Sequence, residues 1–220
     1  MSSFTRSSYL LINVSTSTDT MSPENRPNLL HDQVAIITGA GGGLGREYAL
    51  LFAELGAKVV VNDYGGSLNG EKGTIDRAQL VVDKILRNNG KAVADGHDIS
   101  IPEQAQALVD TALAAYGTIH ILVNNAGTAG SESSHDNVNV ESFTRVWAIA
   151  CLGTSIMTSK VYPIMQRQKF GRIINTSSDS ITGFGAGGDG GYASSKGAVF
   201  ALTKELGQFS RQHNIFINGV

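Results

Sequence analysis

The stretch that decides the fold is residues 34–45, VAIITGAGGGLG, where a short apolar run leads directly into a cluster of glycines. The run from Val34 to Thr38 has no polar alternation, which is typical of a strand buried on both faces of a parallel sheet. A helix is predicted over residues 43–55, because apolar residues recur there at helical spacing. Its predicted buried stripe is Leu44, Tyr48, Leu51, Phe52 and Leu55.

A strand, a glycine-rich turn and a helix in this order are suited to binding a dinucleotide pyrophosphate. The ligand needs a tight turn, close backbone approach and a helix N-terminus whose free N–H groups face its negative charge. Glycine meets the first two needs because it has no Cβ and tolerates positive φ. Gly39, Gly43 and Gly45 are the candidate residues, and a glycine-rich loop without a ligand is the alternative.

Outward from this segment the chain alternates strand-like and helix-like runs as far as residue 220. Such alternation predicts an α/β fold of the Rossmann type, a doubly wound parallel sheet with helices on both faces. Strands are predicted at 34–38, 57–62, 91–95, 119–124, 171–176 and 215–220. Further helices are predicted at 74–88, 102–116, 141–166 and 192–213, with Pro163 expected to bend or interrupt the third of these.

The domain organisation is predicted to be simple. Residues 1–31 are rich in Ser and Thr and are expected to be a disordered extension, with translation from Met21 as an alternative start. Residues 32–220 are expected to form one NAD-binding Rossmann domain. Because the last predicted strand has no successor, we expect this domain to lack its C-terminal part.

Composition excludes several classes of protein. A net charge of −2 argues against a nucleic-acid partner, and no apolar run reaches the ~18 residues of a membrane span. A single cysteine excludes an internal disulfide framework, and five scattered histidines show no metal-ligand spacing, so no metal site is predicted. The cytoplasm is the predicted location, with peroxisome and mitochondrion as alternatives.

Asp63 is the candidate for the adenosine ribose. It ends the second predicted strand, 24 residues after Gly39, where an acidic residue accepts hydrogen bonds from ribose hydroxyls. Its carboxylate would repel a 2′-phosphate, and no basic residue adjoins it in sequence or stands at Gly42. NAD is therefore the predicted cofactor and NADP the less favoured one. A cap on the turn at Tyr64 is the alternative role.

Tyr192 and Lys196 form the candidate acid–base pair. They are four residues apart at the start of a predicted helix, so their side chains share a face about one turn apart. An ammonium group in that position favours the phenolate form of a neighbouring tyrosine, which otherwise is a weak base at neutral pH.

Taken together, Thr38-Gly39-x-x-x-Gly43-x-Gly45, Asn124-Asn125-Ala126-Gly127, Ser178 and Tyr192-x-x-x-Lys196 resemble the short-chain dehydrogenase/reductase family over residues 32–220. Within it, residues 59–73 and 171–174 look most like the 3-hydroxyacyl-CoA dehydrogenase domains of peroxisomal multifunctional enzymes. The resemblance implies an oxidoreductase that interconverts a secondary alcohol and a ketone by hydride transfer with NAD. The implied substrate is a small molecule of 3-hydroxyacyl or steroid-like type, and the implied assembly is a homodimer or homotetramer.

The resemblance also implies residue roles. Tyr192 would be the general acid/base, Ser178 would hydrogen-bond the same substrate oxygen, and Lys196 would hold the nicotinamide ribose. The other implied cofactor contacts are Gly39, Gly43, Leu44, Gly45, Asp63, Asp98, Ile99, Asn125, Ala126 and Gly127. Asp98 and Ile99 would bracket the adenine.

One position departs from the family pattern. Members usually carry an Asn three residues before a Gly of the long helix, linked through water to the catalytic Lys. Here Gly153 follows Ala150, whose side chain can neither donate nor accept a hydrogen bond. The alternative hypothesis is therefore a catalytically impaired NAD(H)-binding module that acts through protein interaction.

Overall fold

The computed structural model describes residues 28–65, 76–130, 133–183, 188 and 190–220. Its centre is one six-stranded sheet in the order β3-β2-β1-β4-β5-β6, and every adjacent pair runs parallel. The order reverses between β1 and β4, which is where doubly wound sheets open a crevice for ligands at the carboxyl ends of the strands. The predicted fold class is confirmed.

The strands and helices lie close to their predicted positions. The strands are β1 (Val34–Thr38), β2 (Lys58–Asn62), β3 (Lys91–Asp95), β4 (Ile121–Asn124), β5 (Gly171–Asn175) and β6 (Ile215–Gly219). The helices are α1 (Gly43–Glu54), α2 (Asp76–Arg87), α3 (Pro102–Tyr116), α4 (Val140–Trp147), α5 (Gly153–Gln168) and α6 (Gly191–Ser210). Among the described residues, no helix combines the length and the apolar character needed to cross a membrane.

The sheet has an apolar core on each face. On one face α1 and α2 cover alternate residues of β1 and β2, including Ile37 and Val59. On the other face α3 and α5 pack against Ile36, Leu122 and Ile173. Residues of β1 are completely buried because both faces are covered, which explains its uninterrupted apolar sequence.

Helix α1 buries only part of the predicted stripe: Tyr48 and Phe52 pack against the core as half-buried side chains. The residues that face the sheet are Gly45, Ala49 and Ala53, whereas Leu44 and Leu51 are exposed. The small residues let the helix lie close to the strand: a Cβ at Gly45 would lie 2.4 Å from the carbonyl oxygen of Gly39. Apolar periodicity indicated the helix correctly, but the close packing of helix on sheet selected the face with the smallest side chains.

The long helix is interrupted at a different place from the one predicted. Residues Ala148–Leu152 form a π turn between α4 and α5, whereas α5 continues past Pro163 to Gln168. Pro163 was expected to bend or interrupt the helix: the interruption was wrong, and a bend at Pro163 stays a prediction. A proline removes a single backbone donor, and here the packing of Met157, Val161 and Met165 on the sheet keeps the helix in place.

The N-terminal extension predicted for residues 1–31 falls mostly outside the described residues. Its last part, from Asn28, is described and forms a turn. The backbone N–H of Leu30 donates to the carbonyl of Leu55 at 2.9 Å, and its side chain packs against the α1/α2 core.

Candidate cofactor-binding and catalytic site

A cavity of about 260 Å³ opens at the carboxyl ends of β1, β2 and β3 and brings together most of the predicted cofactor residues. The predicted residues that line it are Gly39, Gly43, Asp63, Asp98, Ile99, Ala126 and Gly127. Its position is the crevice that the strand order creates.

The glycine loop is shaped to hold an anion at the start of α1. Gly39 has φ +64°, and a Cβ there would lie 2.8 Å from Cα of Ala126. At Gly42 and Gly43 a Cβ would meet nothing within 4 Å. The N-cap Gly42 makes no side-chain capping bond, and the first turn of α1 holds no acidic residue. This open cradle in front of uncapped N–H groups fits the pyrophosphate of a dinucleotide.

Asn125 and Thr38 brace the loop from behind. The Asn125 side-chain amide donates to the carbonyls of Thr38 (3.0 Å) and Gly39 (3.2 Å). The Thr38 hydroxyl in turn accepts from the backbone N–H groups of Asn125 and Ala126, both at 3.1 Å. Asn125 thus supports the loop without lining the cavity, whereas Ala126 and Gly127 line it.

Asp63 makes two backbone contacts. Its Oδ2 accepts from the N–H of Gly41 at 2.8 Å, and its Oδ1 accepts from the N–H of Gly65 at 2.7 Å. The bond from Gly65 caps the turn, which is the alternative role that the sequence offered for Asp63. The bond from Gly41 links the end of β2 to the glycine loop. Each oxygen keeps a further lone pair for a ligand hydroxyl.

Two arginines that sequence reasoning missed line the same cavity as Asp63. They are Arg77 at the start of α2 and Arg145 on α4. The Arg145 guanidinium contacts Asp98 through Nη2 at 2.7 Å and the Ser100 hydroxyl through Nη1 at 2.8 Å. Burial opposes ionisation of Asp98, but hydrogen bonds from Ser100 and the charge of Arg145 hold its pKa below the usual range.

A third carboxylate near this cavity, that of Asp95, is buried, and both of its oxygens accept hydrogen bonds. Asp95 accepts from the Asn62 side chain (2.8 Å), from the Thr111 hydroxyl (2.9 Å) and from the backbone of His97 (2.9 Å). The ring nitrogen Nδ1 of His97 lies 2.9 Å from Asp95 Oδ2, and His97 also lines the cavity. The ends of β2 and β3 are therefore fixed by a network of satisfied polar groups.

Lys196 lies beside Gly127 and does not itself line this cavity. It is 3% exposed, and its ammonium donates to the carbonyl of Thr176 at 2.7 Å. Burial lowers the pKa of Lys196 to about 8. Its Nζ is 5.7 Å from the centroid of the Tyr192 ring, as the four-residue spacing predicted. A Cβ at Gly127 would lie 3.6 Å from this Nζ, and Gly127 also lines the cavity beside the glycine loop.

Ser178 lies in a different and larger cavity of about 890 Å³, and so does Leu44. The Ser178 hydroxyl caps the short helical turn Asp179–Thr182 by accepting from the N–H of Ser180 at 3.2 Å. Neighbouring Ser177 donates instead to the carbonyl of Lys196 at 3.2 Å. Leu44, predicted to contact the cofactor, is exposed and does not line the smaller cavity.

Ala150 is buried in the π turn, and its carbonyl accepts from the Thr154 hydroxyl at 2.7 Å. The carbonyl therefore already has one donor, although a carbonyl oxygen can accept two.

Comparison with known proteins places these features in context. The family model of short chain dehydrogenases matches residues 33–220. The peroxisomal hydratase-dehydrogenase-epimerase of Saccharomyces cerevisiae is 39% identical over 189 residues, covering 86% of this chain and 21% of that protein. The peroxisomal multifunctional enzyme type 2 of Drosophila melanogaster is 39% identical over 186 residues, covering 84% of this chain and 30% of that protein.

The same architecture occurs in solved structures. A 7α-hydroxysteroid dehydrogenase complexed with NADH and 7-oxo glycochenodeoxycholic acid is 33% identical, with a TM-score of 0.77. The match covers 87% of this chain and 71% of that one. By contrast, the chain spans only 21% of the length of the Saccharomyces cerevisiae relative and 30% of the length of the Drosophila melanogaster relative.

Proposed function

The chain belongs to the short-chain dehydrogenase family, and from this premise we propose that it binds NAD(H) and interconverts a secondary alcohol and a ketone. The observation that carries the proposal is the buried Lys196 ammonium beside the Tyr192 ring, joined through Gly127 to the cavity of the glycine loop. The Tyr192–Lys196 pair and the cavity of the glycine loop are thus neighbours on either side of Gly127, which supports this proposal.

The side chains divide the chemistry between them. A bound nicotinamide supplies or accepts the hydride. Tyr192 gives a proton to the substrate oxygen or takes one from it, and Ser178 holds that oxygen by a hydrogen bond. Lys196 has three N–H donors and gives one to Thr176, so two remain for ribose hydroxyls.

At the adenosine end we propose that Asp63 accepts the ribose hydroxyls and favours NAD(H) over NADP(H). Its position is fixed by two backbone N–H donors, so its negative charge stays at the mouth of the cavity. Arg77 lines the same cavity and limits the size of this preference. Gly39, Gly43 and Gly45 shape the pyrophosphate site, and Asp98 and Ile99 bracket the base.

For the substrate we propose a small secondary alcohol of 3-hydroxyacyl or steroid-like type. Two observations support this class: the identity with two peroxisomal multifunctional proteins, and the likeness to a dehydrogenase solved with a bile acid derivative. The names of those two relatives also support the peroxisome as the alternative to a cytoplasmic location.

We further propose a homodimer or homotetramer. An apolar groove of about 440 Å³ lies on the outer face of α4, the π turn and α6, lined by Trp147, Cys151, Leu152 and Leu202 among others. Leu152 is half exposed.

A second candidate function is cofactor binding without turnover. Ala150 favours it, because its side chain offers no polar group to a proton relay and its carbonyl is already engaged by Thr154. Binding and turnover must therefore be measured separately.

The first test is the melting temperature of the chain alone, with NADH and with NADPH. A ligand at a hundred times its dissociation constant stabilises the folded state by about 2.7 kcal/mol, which corresponds to several degrees for a domain of this size. A rise with NADH that exceeds the rise with NADPH supports the proposal. No rise with either dinucleotide contradicts it.

The second test is Tyr192→Phe, assayed with a panel of 3-hydroxyacyl thioesters and hydroxysteroids. We expect turnover to fall at least about a hundredfold because the variant has no proton to exchange, while NADH affinity changes little. Tyr116→Phe on α3 is the matched control. Retained turnover in Tyr192→Phe contradicts the assigned role, and NADH binding by a wild-type chain that turns over no substrate favours the second candidate.

A further inference from the structure

Tyr192 lies in the first turn of α6, directly after a stretch of the chain that is rich in glycine. Six of the nine residues from 183 to 191 are glycine. Gly190, the N-cap of α6, has φ +78° and provides no side chain to cap the helix. Within the described part of the chain, the Tyr192 hydroxyl makes no hydrogen bond. The position of the phenol therefore depends on how the first turn of α6 is held.

Two consecutive hydrogen bonds link this first turn to α4. The indole Nε1–H of Trp147, the last residue of α4, donates to the Ser194 hydroxyl at 3.1 Å. That hydroxyl donates in turn to the carbonyls of Gly190 at 2.6 Å and Gly191 at 3.2 Å, a shared bond that is common at helix ends. The backbone N–H of Ser194 donates to the Gly190 carbonyl as well, at 2.9 Å. The two residues before Tyr192 are thus held by Ser194, which is itself held from α4.

Trp147 is suited to be the fixed partner in this arrangement. Its ring stacks on that of Phe143, one turn earlier in α4, with 6.5 Å between the ring centroids and 15° between the planes. Two aromatic rings four residues apart on one helix restrict each other, so the indole N–H keeps its direction toward α6. The ring of His135, in the segment before α4, also contacts the carbonyl of Gly188. The glycine-rich stretch is therefore anchored from the side of α4.

Lys196, one turn further along α6, is held by different contacts. Its ammonium is buried and donates to the carbonyl of Thr176 at the end of β5. The lysine is thus fixed by the sheet, whereas the tyrosine is fixed through α4. A misplacement of a reacting group by about 1 Å can lower a rate by about a hundredfold. On the basis of the acid–base role proposed for Tyr192, we propose that Trp147 is a positioning residue that holds Tyr192, through Ser194, at the productive distance from the substrate oxygen.

The test compares Trp147→Phe with Ser194→Ala. Phenylalanine keeps a ring to stack on Phe143 but has no N–H, and alanine removes the acceptor. With the best substrate of the panel of 3-hydroxyacyl thioesters and hydroxysteroids, we expect kcat to fall between about threefold and tenfold in each variant. KM, the dissociation constant of NADH and the melting temperature should change little, because neither residue lines the cofactor cavity or the cavity beside Ser178.

A double variant shows whether the two residues act through one bond. If they do, Trp147→Phe combined with Ser194→Ala loses no more kcat than either single variant, because the second substitution has no bond left to remove. Two independent effects would multiply instead. Ser194→Thr keeps the hydroxyl and should keep kcat near the wild-type value.

Ser159→Ala in α5 is the matched control. Like Ser194, this serine is exposed and its hydroxyl donates to a carbonyl of the preceding turn, that of Ile156 at 2.7 Å. Its replacement removes the same kind of bond from another helix and should leave kcat unchanged.

The outcomes separate this proposal from the function on which it rests. Unchanged kcat in both Trp147→Phe and Ser194→Ala shows that the positioning role is wrong and leaves the proposed function intact. Losses of kcat that multiply in the double variant overturn the proposal, and so does a weakening of NADH binding by the same factor as the loss of kcat. If the wild-type chain turns over no member of the panel, both proposals fail.

Discussion

The candidate site has an adenosine end, around Asp63 and Asp98, and a catalytic end, around Lys196, and their polar groups are held in opposite ways. At the adenosine end each of the three carboxylates, Asp63, Asp95 and Asp98, is held by several hydrogen bonds. At the catalytic end three buried polar atoms have no hydrogen-bond partner among the described residues: Asn124 Oδ1, Thr176 Oγ1 and Ser180 Oγ. There Lys196 is buried with a carbonyl acceptor and no carboxylate contact within that part of the chain.

This difference indicates that the adenosine end is rigid, whereas the catalytic end keeps unpaired hydrogen-bonding groups. A satisfied network fixes the shape of a binding site before the ligand arrives. A buried ammonium and unpaired hydroxyl groups lower the stability of the fold but keep their hydrogen-bonding capacity and charge for other contacts. We therefore expect substitutions at the adenosine end to reduce stability and binding together, and substitutions at the catalytic end to separate the two.

Gly45→Ala tests the rigidity of the adenosine end and has the largest expected effect. The new Cβ would lie 2.4 Å from both the Gly39 carbonyl oxygen and the Asn125 amide nitrogen. We expect NADH affinity to fall at least a hundredfold and the free energy of unfolding to fall by about 1–3 kcal/mol. Calorimetric titration and urea denaturation measure the two. Gly197→Ala in α6, where a Cβ meets nothing within 4 Å, is the control and should bind normally. Unchanged binding in Gly45→Ala would show that the loop adapts easily.

Lys196→Met tests the separation of stability from function. Because burial lowers the pKa of Lys196 to about 8, its charged form destabilises the folded state at pH 7. Allowing for the lost bond to Thr176, we expect the variant to be more stable by about 2 kcal/mol at pH 7, yet to bind NADH weakly and to lose turnover. Lys204→Met, an exposed lysine of the same helix, is the control.

The pH dependence of stability provides a second test of the buried charge of Lys196. Between pH 8 and the ordinary lysine pKa near 10.5, the unfolded chain binds more protons at this position than the folded chain. Wild-type stability relative to Lys196→Met should therefore rise with pH across that window. NADH binding by the wild-type chain should weaken as pH passes about 8, because the ammonium loses its charge. A flat stability difference would contradict the buried-charge interpretation.

A matched pair of Thr→Val substitutions compares the two ends directly, with the smallest effects. Thr111 donates to Asp95 at 2.9 Å, so Thr111→Val should lower the free energy of unfolding by about 1.5 kcal/mol. The Thr176 hydroxyl has no partner in the described part of the chain, so Thr176→Val should not lower the free energy of unfolding and should raise it by up to about 1 kcal/mol. Urea denaturation measures both values. Equal losses would remove the distinction between the two ends.

Much of the fold could be predicted because each strand is a short apolar run bounded by turn residues, as in residues 58–62. The π turn could not be predicted, since Ala148–Leu152 reads AIACL and contains neither Gly nor Pro. The buried face of α1 was predicted only in part, since Tyr48 and Phe52 pack against the core but Leu44 and Leu51 are exposed. Its small residues gain burial by close approach to the sheet, which a pattern of large apolar residues does not reveal.

At the site, sequence reasoning located residues carried by local motifs, such as Gly39, Asp63 and the Tyr192–Lys196 pair. It missed Arg145 because its partner Asp98 is 47 residues away and the two meet only through the packing of α4 beside the sheet. The placement of Leu44 in the larger cavity likewise depends on which face of α1 turns toward the sheet. The roles assigned to these residues stay predictions.

The π turn between α4 and α5 has a consequence for how this chain tolerates changes in length. A π turn contains one residue more than an α-helical path would use. The buried residues Met157, Val161 and Met165 all lie after it. Removing one residue from a regular α-helical turn before them would rotate their common face by about 100° around the helix axis, whereas removing one from the π turn leaves the number of residues that an α-helical path needs. A single-residue deletion should therefore be tolerated better within Ala148–Leu152 than in the α-helical turns on either side of it. The five residues Ala148–Leu152 act as a spacer that sets the angular register between the arginine on α4 and the apolar face of α5.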